Sequence, residues 1–195
     1  MAIKEFNTLS ELNFQKQLVF AYLTCARLYP NYVYFSAKYN FGSPDILEKS
    51  INYIHQNIFQ HKIDIPTIKN FLEELDKATP YPENYDTVLV SASLDACNVI
   101  FETLNFLVDK DVKRLSDIST MATDTADMYI QEIDDLDFNT DKDFQLKIDR
   151  HPIMKREIAM QQGIITYLSQ ITELEPSDLQ TLIRLQENNR GSLNL

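Results

Sequence analysis

The chain has 195 residues, with 18 Lys and Arg set against 29 Asp and Glu for a formal net charge of -11. That balance excludes a binder of phosphate backbones or anionic membranes, whose affinity comes from basic side chains that displace counterions. Apolar residues make up 44% of the sequence but glycines number only 3, too few for the tight turns of a sheet-rich fold. An all-α, single compact multi-helix bundle of about eight helices is expected, with residues 1–195 forming one domain.

No apolar run approaches the roughly 18 to 20 residues that cross a bilayer, and no basic stretch followed by an apolar one opens the sequence. A soluble, cytoplasmic protein is expected. Cys25 and Cys97 sit in apolar helical patterns with no His or Cys at ligand spacing, so they read as buried free thiols.

In chain order, Thr8-Leu9-Ser10-Glu11 fits a capping box, and a helix follows to about Leu28. From Leu18 to Tyr29 only Thr24 and Arg27 interrupt its apolar residues, which makes it a core helix. Pro30 disfavours helical geometry at Tyr29 and suits the first turn of a new helix over about 31–39. The stretch from Ala26 to Phe35 therefore predicts a helix-to-helix corner plugged by tyrosines, with Gly42 as a left-handed stop. Ser43-Pro44-Asp45 starts a third helix over about 44–60, and Ile65-Pro66 a fourth that Pro80 and Pro82 end.

Between 86 and 109 the residues Ser91, Asp95, Asn98, Glu102, Asn105 and Asp109 form one straight polar line on an otherwise apolar helix. This is the buried central helix, with one narrow wet edge. Helices over about 111–135, 140–149, 153–171 and from Pro176 complete the pattern, and residues 188–195 are expected to fray.

Arg27-Leu28-Tyr29-Pro30-Asn31-Tyr32, followed by Phe35 and Phe41-Gly42, resembles the corner of the YjaG-like bacterial proteins, domain-of-unknown-function family 416. Leu94-Asp95-Ala96-Cys97 and the passage from Pro152 through Glu157 to Gln161 are similar to two later segments of that family. The resemblance implies a compact all-helical domain from a bacterial cytoplasm and carries no reaction with it.

The residues themselves argue against most chemistry. Asp135, Asp137, Asn139 and Asp141 alternate like calcium-loop ligands, but the loop's sixth position is Thr140 and its twelfth Leu146, where glycine and a bidentate Glu belong. No Glu is followed three residues later by His, as bundle metal sites require. The glycines are isolated, so no phosphate cradle exists, and no histidine stands in a nucleophile motif. No metal, cofactor or catalytic set is expected. The charges bordering apolar helix faces are Arg27, Asp95 and Glu157, and a buried network in which the guanidinium bridges both carboxylates is expected.

The sequence thus points to a non-enzymatic, acidic interaction or regulatory protein, such as one of immunity type, that meets another protein of basic character, with self-association (a homo-oligomer) as a further reading. The competing expectation is a small-molecule binder or enzyme with a pocket at the corner, formed by Arg27, Tyr29, Asn31, Tyr32, Asp95 and Glu157.

Overall fold

Local start and stop signals account for most helix boundaries. In the computed structural model, which describes residues 3–187 and 191–195, the helices are α1 Ile3–Glu11, α2 Phe14–Tyr39, α3 Pro44–Gln60, α4 Ile65–Ala78, α5 Leu89–Asp109, α6 Lys113–Ile133, α7 Phe144–Arg150, α8 Pro152–Gln170 and α9 Pro176–Glu187. A short 3-10 turn, Pro82–Asn84, joins α4 to α5, and no strand occurs among the described residues. Asp64 caps α4 by accepting from Thr67 N at 2.9 Å, and His151 Nδ1 caps α8 by accepting from Ile153 N at 3.2 Å. The expected capping box is a correction: Thr8 to Glu11 close α1, where Ser10 Oγ donates back to Asn7 O at 2.8 Å. Asn13 is the cap that opens α2, accepting from Lys16 N at 3.0 Å.

The core is built on α2 and α5, which run antiparallel. Phe14 stacks on Phe106 at one end, Cys25 meets Val99 and Thr103 midway, and Phe35 packs with Leu89 and Val90 at the other. One apolar cluster extends from this pair to every other helix except α7, which has its own small cluster of Ile148 with Ala126, Ile130 and Met154. Both cysteines are buried and free. Burial pushes each thiol up to about 12, so neither supplies a thiolate.

The expected corner at Pro30 is overturned, because α2 runs unbroken through it to Tyr39. An interior proline costs about 3 kcal/mol. Leu23, Leu28, Tyr32 and Phe35, on both sides of it, are fully buried, and each contributes about 1.5 to 3 kcal/mol by leaving water. Continuing the helix keeps both halves in one core, and that gain exceeds the proline's cost. The chain turns instead after Tyr39, where Asn40 takes a left-handed conformation as the cap and its N–H reaches Ser36 O.

The expected fraying of 188–195 is also corrected where the structure describes it; residues 188–190 lie outside the described residues. The 191–195 segment docks across α2 at the proline. Ser192 N donates to Arg27 O at 2.9 Å, Asn31 Nδ2 donates to Ser192 Oγ at 2.8 Å, and Arg156 donates to Ser192 O. Leu193 is buried, and Leu195 packs on the aromatic group around Phe35 and Tyr85. Gly191 is dictated by that approach: at φ +80°, an added Cβ would lie 2.9 Å from the Pro30 ring.

Candidate functional site

Arg27 and Glu157 meet in the core. Arg27 lies on the stripe of α2 that faces α8, four residues from Leu23 and from Asn31, and Glu157 faces it from the second turn of α8. The pair is bidentate: Nε donates to Oε2 at 2.9 Å and Nη2 to Oε1 at 2.8 Å. The two residues are 4% and 2% exposed, so the ion pair is sealed from solvent. Gln161, one turn further along α8, donates to Glu157 Oε1 at 2.9 Å and to Ser119 O on α6 at 3.2 Å. Ser119 Oγ donates to Gln161 Oε1 at 2.5 Å. With its amide nitrogen turned towards Leu23 O, Gln186 of α9 accepts from Arg27 Nη1 at 3.0 Å. The network therefore ties α2, α6, α8 and α9 together, and Glu157 neutralises the guanidinium.

Asp95 does not join Arg27, contrary to expectation. It projects from α5 towards α6, where its Oδ2 lies 2.7 Å from Thr125 Oγ1. Burial pushes its carboxyl up to about 6, the Thr125 hydroxyl pulls it back, and the charge of Asp124 adds to the rise. Thr125 Oγ1 is also 2.9 Å from Met121 O. Thr125 donates to both acceptors, and since a hydroxyl carries one proton that proton is shared between Asp95 and Met121 O. The polar line of α5 thus follows the α5–α6 seam. Further along it, Arg114 at the start of α6 donates to Glu102 at 2.5 Å and to Asp109 at 2.7 Å.

The other expected site residues are also accounted for by contacts within the fold. Tyr32, fully buried, donates from its hydroxyl to Ala78 O at 2.7 Å and accepts from Ser43 N at 3.1 Å. It therefore stitches α2 to the start of α3 and the end of α4, and burial pushes its phenol up to about 12. Tyr29 donates weakly to Pro44 O at 3.5 Å. Asn31 holds Ser192, while its Oδ1 has no partner. Gly42 explains why tyrosine and glycine occur together in this stretch: φ is +78° and an added Cβ would fall 2.0 Å from the Tyr32 hydroxyl. Gly42→Ala is expected to lower stability by about 2 kcal/mol or more, from left-handed strain plus displacement of that hydroxyl. Urea titration checks it, and a loss well under 1 kcal/mol would show that Tyr32 moves aside at little cost.

Sequence reasoning missed Thr125, Gln161, Ser119 and Gln186. Gln161 had a signal, standing one helical turn after Glu157 on the same apolar line, and Thr125 stood in the stripe of Ile118, Ala122 and Tyr129. Two concavities adjoin these residues. A half-open void of about 250 Å3 lies between α2 and α9, walled by Leu23, Ala26, Pro30 and Ile183, with Arg27 and Gln186 on its polar side. A second, of about 370 Å3, lies where the start of α5 meets the end of α6, with Asp86, Glu132 and Asp135 around Val88, Met128 and Leu136.

The second cleft opens onto the acidic face. Residues 124–143 carry eight acids and one lysine, hence seven of the eleven excess negative charges of the chain. Part of that charge holds the connection after α6 in shape: Asp141 Oδ2 accepts from Asp137 N at 2.8 Å, and Asp137 Oδ1 from Asn139 N at 2.7 Å. Set among these acids, Phe138 is 77% exposed, Ile133 47% and Met128 44%.

Fold and site together define an all-helical protein whose polar interior ties its helices to one another, and whose strongest surface feature is an acidic face with apolar side chains in it. The family model for a protein of unknown function, DUF416, matches residues 4–195, and the chain belongs to that family. The uncharacterised protein YjaG of Salmonella typhimurium (strain LT2) is 26% identical over 97 residues, which are 50% of this chain and 49% of that protein; YjaG of Salmonella typhi matches equally. The aligned stretch thus spans about half the length of these curated relatives. A crystal structure of a DUF416 family protein from Shewanella baltica OS155 superposes with a TM-score of 0.88 at 23% identity, covering 99% of this chain and 97% of that one, a likeness of fold. No helix among the described residues is long and apolar enough to cross a membrane.

Proposed function

We propose that this protein is a non-enzymatic interaction or regulatory module of the bacterial cytoplasm, immunity-type or similar in role, that holds a basic partner protein against the face formed by the end of α6 and the connection to α7. The observation that carries this reading is the coincidence of charge and apolar exposure: eight acids and one lysine in residues 124–143, with Phe138 exposed among them. Charge steers a basic partner and sets its orientation. An aromatic side chain supplies the anchor that charge alone lacks. The adjoining cleft, with Asp86, Glu132 and Asp135 at its walls, suits Lys or Arg side chains of that partner.

The test is capture from lysate on immobilised protein, compared with a variant carrying Phe138→Ala, Asp134→Lys and Asp135→Lys. A basic protein that the wild type retains, salt releases and the variant fails to hold is the expected result. Partners retained equally by the variant, or unaffected by salt, would overturn the reading.

The void between α2 and α9 favours a second reading, a small-molecule binder. Its ligand would be largely apolar with one acceptor facing Arg27 and Gln186, since Glu157 already neutralises the guanidinium. A metabolite that raises the thermal midpoint of the wild type but not of Ala26→Leu, which fills the void, would support this reading over the first.

A further inference from the structure

The outer face of α8 has features that the acidic face does not explain. Gly163 sits in the middle of this helix, where glycine is the least favourable residue after proline. Nothing in the packing of the described residues requires it, because an added Cβ would meet none of their atoms within 4 Å. It lies instead on the floor of an open apolar groove of about 310 Å3 between α8 and α9, lined by Ala159, Met160, Tyr167, Leu182 and Leu185, with Leu185 57% exposed.

The charges around this groove are arranged in opposite senses at its two ends. In a chain of net charge -11, α8 exposes no acid: Glu157 is buried, Lys155 is exposed, and Arg156 reaches Ser192. Lys155 lies eight residues before Gly163. Exposed Glu173 and Glu175 lie ten and twelve residues after it, just beyond the end of α8, where the helix dipole is also negative. A helix with a positive start, a small residue at its centre and a negative end is complementary to itself when reversed.

We infer that this groove is the interface of a two-fold symmetric dimer, in which α8 of a second copy crosses antiparallel at Gly163. Reversal about Gly163 sets Lys155 of each copy near the Glu173 and Glu175 end of the other, and Ala159 opposite Tyr167, small against large. Gly163 faces its own equivalent at the crossing, where the absence of a side chain lets the two backbones approach closely. The contact is isologous and closes at two subunits. It uses none of the acidic face, so its failure would leave the proposed function untouched.

Light scattering on the purified full chain tests it. A mass twice the single chain's 22.7 kDa is expected for the wild type, and a single-chain mass for Gly163→Leu, which should keep its full helical circular dichroism because the added side chain meets open space and leucine favours the helix. Lys155→Glu is expected to break the dimer, and Lys155→Glu combined with Glu173→Lys and Glu175→Lys to restore it. If Gly163→Leu fails to fold, the charge reversals decide. A wild-type mass of one chain, a dimer that survives Gly163→Leu, or charge reversals that fail to restore the doubled mass would each overturn the inference.

Discussion

Arg27→Ala is expected to destabilise the protein by about 3 to 5 kcal/mol, the range for removing one member of a buried ion pair. The cost comes chiefly from the group left behind. Glu157 is 2% exposed, and without the guanidinium it keeps, among the described residues, the Gln161 amide as its donor. Gln186 loses a donor at the same time. Arg27→Lys should recover little of the loss, because one ammonium cannot span both carboxylate oxygens as Nε and Nη2 do. Replacing both partners, as Arg27→Met with Glu157→Leu, should return most of it, since neither charge then has to be desolvated. Denaturant titration of these proteins, with the single variants Arg27→Met and Glu157→Leu added to complete the cycle, gives the coupling. A loss below about 1 kcal/mol for Arg27→Ala would mean that water reaches Glu157, and would return the corner to consideration as a binding site.

Asp95→Asn is expected to stabilise the protein at pH 7 by about 1 to 3 kcal/mol. The carboxyl is raised from 3.8 to about 6 by burial first. The folded state therefore holds this proton more tightly than the unfolded chain does. Its contribution is fully present below about pH 4 and is lost as pH rises through about 6. The size is discounted because Asp95 is only partly buried. Asparagine is neutral at every pH, and its amide N–H can donate to Thr125 Oγ1, leaving the Thr125 proton, now shared with Asp95, wholly for Met121 O. Melting temperatures recorded from pH 4 to 7 should fall more steeply for the wild type than for the variant. Parallel profiles would show that Asp95 titrates like an exposed carboxyl.

Both residues were conspicuous in the sequence for the same reason, a charge bordering an apolar helical face, and their fates differ because partners are chosen in three dimensions. Helical periodicity put Arg27, Asp95 and Glu157 on inward faces. It could not say which neighbouring helix each face would meet. Asp95 lies on α5, the immediate packing neighbour of α2, yet its position points it at α6 and Thr125. Glu157 is 130 residues from Arg27 and meets it through two contacts.

Pro30 shows the opposite limit. Read locally it breaks a helix, and the local preference is real at about 3 kcal/mol. It yields because Leu23, Leu28, Tyr32 and Phe35 gain more by staying on one buried helix.

What the sequence determined by itself was the helical class, most helix limits, the burial of α2 and α5 and the site of the acidic face. These follow from periodicity, capping residues and charge density, all of which act over a few neighbouring residues. The tertiary structure alone decided that α2 continues through its proline, that Arg27 spends its fork on Glu157 while Asp95 turns to Thr125, and that residues 191–195 dock. Each of these depends on burial and hydrogen bonding between residues far apart in the chain, and such energies exist only once the helices have packed.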